Sequence, residues 1–274
     1  MKYTLHSAKY VLKNLLYLFP LAILPALFFS MSTDEEAIIQ SVTAFFKGNI
    51  GDWQFFTLFR AISILSFGRW VGIIFGIAGI IVIVPCVSLM MALIEKHFRI
   101  GKRTFNGMWA KLNDNLLSTC GFAVLLFVIY EVWAMLLSAL LFLTSQFGNA
   151  VIAYGGAGVI FLAMHALLMY VIGCIYLWLP CMQITGFRAF EALQYSYQLS
   201  SRVKWRLLFS QLFFYMAAEA ALCVCAFFSN LLVFYIFTTL VFVFLIMIFV
   251  VRMQVVYFDR AQLERADLVK YYQR

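Results

Sequence analysis

Residues 117–143 read LSTCGFAVLLFVIYEVWAMLLSALLFL, and the one formal charge in this run is Glu131. A helix of that length rises about 40 Å, enough to cross the ~30 Å hydrocarbon core of a bilayer. A segment apolar around its whole circumference belongs in lipid or deep in a core. Composition settles which. Hydrophobic residues make up 65% of the 274 residues and charged residues 12%, and mean hydropathy is +0.96. Soluble domains carry roughly 45–50% apolar and 25% charged residues, so a soluble chain of this size could not hide so much apolar surface. The alternating pattern of a membrane β-barrel is absent. The expected class is an all-α polytopic membrane protein.

Outward from this run, five more apolar stretches predict spans, giving about 12–30, 71–94, 117–143, 152–180, 207–228 and 231–252. The first has a basic start, but its end, ALFFSMS (26–32), lacks the small-x-small pattern of a cleavage site, so a retained helix is expected. The net charge of +8 does not point to nucleic acid, because the basic residues are segregated by segment. Lys2, Lys9 and Lys13 precede the first span. Lys96, Arg99, Lys102, Arg103 and Lys111 follow the second. Arg188, Arg202, Lys204 and Arg206 follow the fourth, and Arg252, Arg260, Arg265, Lys270 and Arg274 close the chain. The other three cations (Lys47, Arg60, Arg69) lie between the first two spans beside Asp34, Glu35, Glu36 and Asp52, and loops 144–150 and 229–230 are uncharged. This distribution predicts a single multi-pass domain over 1–274 with both termini cytoplasmic. The six cysteines lie in or beside apolar runs and do not form a secreted disulfide framework.

Between the first two spans lies an outer amphipathic segment, about 31–70. STDEEAIIQSVTAFF (32–46) offers Ser32 or Thr33 as a helix cap with acids in the first turn. WQFFTLFRAISILSFGRW (53–70) is also amphipathic. Both are expected to lie flat on the outer membrane face. A re-entrant or spanning helix at 53–69 is the alternative, and it conflicts with the charge pattern. Amphipathic helices are also predicted on the cytoplasmic side at LHSAKYVLKNLL (5–16) and at about 104–116 and 187–205, with a C-terminal tail at 254–274. Each odd-numbered span therefore follows an amphipathic helix, a layout that suggests three parallel two-helix repeats. Gly72, Gly76 and Gly79 predict a close-packing face. Trp109, Trp178 and Trp205 predict interfacial anchors, and His6 and His97 read as interfacial bystanders.

The stretch FRAFEALQYSYQLSSRVKWRLLFSQLFF (187–214), with Glu191-Ala192-Leu193, Ser196 and Leu199, and the tail VYFDRAQLERADL (256–268) carry a resemblance. They resemble a broad group of bacterial integral membrane proteins related to the membrane domain found beside glycerophosphoryl diester phosphodiesterases. The resemblance covers mainly 181–274, with an echo at 104–118. It implies a six-helix fold in a bacterial cytoplasmic membrane. It implies no activity, because the catalytic barrel of that family is a separate soluble domain for which this chain has no room.

The ionisable groups expected near the membrane midplane are Glu131, His165 and Glu219. A charge there costs roughly 2.5–3.5 kcal/mol on insertion scales, so such groups are paired, neutral or facing water. Gln211, Tyr215, Glu219 and Cys223 recur every four residues and form one polar stripe. Two expectations follow. In one, Glu131, His165, Glu219, Gln211 and Tyr215 form a proton- or cation-binding site. In the other, they form a buried hydrogen-bonded cluster that fixes packing. The close i,i+3 or i,i+4 ligand pairs of helical metal sites are missing, so no metal is expected. Lys102, Arg103, Lys204 and Arg206 are candidate contacts for anionic lipid headgroups. No Ser-His-Asp set, CxxC pair, nucleotide loop or HExxH motif occurs, so neither enzyme nor cofactor is expected. The leading expectation is a non-enzymatic envelope protein, acting as a scaffold or the membrane subunit of a larger assembly, with lipids and a protein partner or second copy around it. The alternative is a small proton-coupled transporter using the midplane Glu/His/Glu set.

Overall fold

The computed structural model describes residues 2–201, 203–228 and 230–268. Arg202, Lys270 and Arg274 of the basic segments, and the end of the 254–274 tail, lie outside the described residues. The described residues form eleven α-helices: α1 (Lys2–Lys13), α2 (Leu15–Ser32), α3 (Glu35–Phe46), α4 (Phe55–Ile62), α5 (Trp70–Ile100), α6 (Met108–Ser145), α7 (Ala150–Ile175), α8 (Trp178–Thr185), α9 (Ala189–Ser201), α10 (Lys204–Ala226) and α11 (Leu231–Arg260). Short 3-10 turns occur at Ile50–Asp52 and Ala266–Leu268. Among the described residues six helical stretches are long and apolar enough to cross a membrane: α2, α5, α6, α7 continued by α8, α10 and α11. The chain is an all-α polytopic membrane protein.

Local chemistry explains the element ends. The uncharged loops before α7 and α11 are short because each ends in an asparagine that caps the next helix. Asn149 accepts from the Val151 N–H at 2.9 Å, and Asn230 from the Leu232 N–H at 2.9 Å. Gly101 ends α5 at φ 72°, a left-handed conformation that a side chain would strain. Asp34, and not Ser32 or Thr33, caps α3, accepting from the Ala37 N–H at 3.1 Å. The two serine/threonine hydroxyls bond back to the Phe29 carbonyl and close α2 instead.

Two boundaries differ from the sequence expectation. The amphipathic helix at 104–116 and the span at 117–143 are one rod, α6, because Asn113–Leu117 contains no breaker to separate them. The last span does not stop at Arg252. α11 runs on to Arg260, and Gln254 to Phe258 are buried within the bundle.

One core joins α1, α2, α5 and α11 to the α7–α8 junction through Leu18, Met90, Ile94, Phe98, Tyr176 and Phe258. A second joins α6 and α7 to the 50–58 segment through Trp53, Leu58, Trp133, Leu137, Ala153 and Leu168. At the end of the bundle that carries both termini, Tyr10 and His97 are linked at 2.7 Å and buried. His97 therefore fastens α1 to α5 and is no bystander. Tyr3 donates to Asp259. Burial first, then that carboxylate, pushes the Tyr3 phenol up to about 12. The raised value favours the neutral phenol in the folded state. The Tyr3 contribution is thus complete below pH ~10 and is lost as pH rises through 12.

The glycine face of α5 does what its spacing predicts. A Cβ on Gly76 would lie 2.8 Å from Leu65 Cδ2 and 3.0 Å from the Ile64 carbonyl oxygen, and one on Gly79 would lie 2.7 Å from Phe29 Cε1. Gly76→Ala is therefore expected to destabilise by about 1–3 kcal/mol, read as a lower thermal midpoint in detergent.

Candidate functional site

Glu131 faces the connection after α4. Its Oε2 accepts from Ser63 Oγ at 2.8 Å, and its Oε1 accepts from the Ile64 N–H at 2.9 Å and the Leu65 N–H at 3.4 Å. All three partners donate, so the carboxylate form satisfies every contact. The neighbouring Tyr130 donates to the Ile62 carbonyl at 2.8 Å. Ser66, at φ 42°, donates to the Ser32 carbonyl at 2.6 Å, which ties the same turn to the end of α2. The segment between α2 and α5 folds onto the bundle as a cap. Residues 63–66 pack down against Gly72 and Gly76 of α5 and against Glu131 of α6. Irregular backbone of this kind requires internal donors and acceptors, which Glu131, Tyr130 and Ser32 supply.

The base of the same cap is ionic. Asp34 is fully buried; its Oδ2 accepts from Arg60 Nε at 2.9 Å and Nη2 at 2.6 Å, and Arg69 Nη1 stands 3.4 Å from Oδ1.

His165 and Glu219 meet elsewhere, between α7 and α10. His165 Nε2 lies 2.8 Å from Glu219 Oε2, and His165 Nδ1 lies 2.7 Å from the Phe161 carbonyl oxygen. A carbonyl only accepts, so Nδ1 carries a proton. The Nε2···Oε2 contact then holds one proton, either on imidazolium facing carboxylate or on a carboxylic acid facing neutral imidazole. Trp133 and Phe161 enclose the ring, with centroids 4.8 and 4.1 Å away. His165 is fully buried, while the Glu219 side chain is 23% exposed. Tyr215, one turn before Glu219, donates to Tyr130 at 3.1 Å, so a hydrogen bond links α10 to the α6 residue beside Glu131.

Of the three midplane groups, His165 and Glu219 touch and Glu131 is engaged separately by the cap. Gln211 also leaves the expected set. It approaches the Tyr176 hydroxyl near Gly173, and both its amide atoms are buried without a hydrogen-bond partner among the described residues. Beside it stands Arg252, only 2% exposed, which the charge pattern had assigned to the tail. The signal for this was present: VVRMQVVYF (250–258) continues the apolar run past Arg252.

Among the headgroup candidates, Lys102, Arg103 and Arg206 are exposed and the Arg103 guanidinium lies 5.4 Å from the Tyr17 ring. Lys204 donates to the Tyr170 hydroxyl at 2.7 Å and is already engaged. A further pocket of about 310 Å³ is lined by Lys96, Arg99 and Lys111, and Glu95 pairs with the last two. Comparison with family models, curated proteins and solved structures returns no match.

Proposed function

We propose that the chain is a non-enzymatic integral membrane protein of the cell envelope, a scaffold or the membrane subunit of a larger assembly. The observation that carries this reading is the cap formed by α3, α4 and the turn at 63–66. A buried ionic cluster and Glu131 hold it against the bundle, while it presents Phe46 and Phe56, 81% and 66% exposed. A rigid platform with outward aromatic groups suits contact with a partner or a second copy, since aromatic side chains are enriched at interface cores. The resemblance of 181–274 supports a bacterial cytoplasmic membrane, and the distribution of Lys and Arg supports cytoplasmic termini and an external cap. Chemical cross-linking in native membranes tests the proposal. A higher-mass species is expected for the wild-type chain and should be lost in the Phe46→Ser/Phe56→Ser variant with its thermal midpoint unchanged. A strictly monomeric wild type without any cross-linked partner contradicts it.

One observation favours a second reading, a proton-coupled transporter: the Phe161 carbonyl leaves the His165–Glu219 contact holding a single exchangeable proton. Glu219→Gln separates the two. Its amide can donate to neutral Nε2, so stability should change by less than about 1 kcal/mol, whereas Glu219→Leu orphans that nitrogen and should cost about 1–3 kcal/mol. Transport predicts that Glu219→Gln abolishes proton-coupled flux in proteoliposomes, and the packing role predicts no flux in either chain.

A further inference from the structure

The end of the bundle where α1 begins and α11 ends contains a buried cation that neither reading above uses. Arg252 Nε donates to the Tyr176 hydroxyl at 3.0 Å, and Tyr176 in turn donates to the Phe249 carbonyl at 2.9 Å, so this phenol brings the guanidinium no negative charge. Arg252 Nη1 reaches Ser210 Oγ only at 3.5 Å, and Ser210 shares a 2.7 Å hydrogen bond with Thr4. The guanidinium also lies 5.5 Å from the Tyr176 ring and 6.0 Å from Phe214. Among the described residues no carboxylate pairs with it. Gln211, 2% exposed and next in sequence to Ser210, brings two unpartnered amide atoms to the same Tyr176 hydroxyl.

A buried guanidinium without a counter-charge is costly, and so is each orphaned amide atom. One kind of ligand answers both. An oxyanion supplies the missing negative charge and accepts from the guanidinium, the Gln211 amide N–H and the hydroxyls. A P–OH of inorganic phosphate, or a glycerol hydroxyl of a phosphatidylglycerol headgroup, can donate to the Gln211 carbonyl. The first turn of α1, through Thr4, covers this cluster and is fastened by the Thr4–Ser210 and Tyr3–Asp259 contacts. We propose that Arg252, Gln211, Ser210 and Thr4 form a binding site for a phosphate-type oxyanion, with the first turn of α1 as its cover. The phosphate is either free or the headgroup of an anionic lipid.

Thermal unfolding of the purified full chain tests this. The probes are inorganic phosphate in detergent at constant ionic strength, with sodium chloride as control, and nanodiscs of phosphatidylglycerol against phosphatidylcholine. Phosphate well above its Kd should raise the wild-type midpoint by on the order of 5 °C. A rise in detergent assigns the site to free phosphate, and a rise only with phosphatidylglycerol assigns it to lipid. Arg252→Met should lose the response. Gln211→Leu keeps the charge, removes two orphaned atoms and should fold at least as well as the wild type, yet lose most of the shift. Absence of a shift with either probe, an equal shift with chloride, or a full response in Gln211→Leu overturns the proposal.

Discussion

Asp34→Ala is expected to unfasten the cap formed by α3, α4 and the turn at 63–66 at a cost of about 3–5 kcal/mol. Three losses combine. The Ala37 N–H at the start of α3 loses its cap, Arg60 loses two hydrogen bonds, and Arg69 loses its nearest carboxylate. Asp34 is fully buried while Arg60 and Arg69 are partly exposed, so the stranded cations can turn to water and the lower end of that range applies to them. Asp34→Asn retains the cap and one acceptor, and should fall between the two. Limited proteolysis of α3 and α4 with the transmembrane helices still folded is the expected signature. Global unfolding at the same midpoint as the wild type contradicts it.

Glu131→Leu is expected to cost about 2–4 kcal/mol by a different route. It replaces a carboxylate with a shorter apolar group, leaves the Ile64 N–H without its acceptor at about 1–3 kcal/mol for an orphaned donor, and takes the acceptor from Ser63 Oγ, while the Leu65 N–H keeps Ser63 Oγ at 3.1 Å. Glu131→Gln keeps one oxygen but turns an N–H₂ group toward donors, so it should cost less than Leu and more than zero. Chemical denaturation with the Ser63→Ala/Glu131→Gln double cycle isolates the contact, with a coupling energy of about 1 kcal/mol or more expected. An additive cycle contradicts the direct hydrogen bond.

Much of this fold was legible in the chain because apolar runs and charge segregation act over many residues. The six spans, the glycine face of α5 and the helical outer segment all rest on such patterns. The grouping of Glu131 with His165 and Glu219 rested on depth alone, and depth does not specify direction around a helix. Glu131 and Trp133 are two residues apart, hence about 200° apart around α6. Trp133 therefore faces His165, while Glu131 faces α5 and the turn after α4. The stripe on α10 fails for a related reason. Gln211 lies about 12 Å along the axis from Glu219, so it meets Tyr176 while Glu219 meets His165. Arg252 was hidden by the rule that reads arginines after a span as tail.

The central claim is that the segment between α2 and α5 is a folded cap whose turn at 63–66 is held by the Glu131 carboxylate inside the bundle. Hydrogen–deuterium exchange of the 63–66 backbone measures this directly, in wild type and in Glu131→Leu. The account predicts strong protection of Ile64 and Leu65 in the wild type and, in the variant, exchange of Ile64 faster by on the order of 10²-fold, with a smaller change at Leu65, whose N–H keeps Ser63 Oγ at 3.1 Å. Rapid exchange of these two amides in the wild type, or protection unchanged by the substitution, would contradict it.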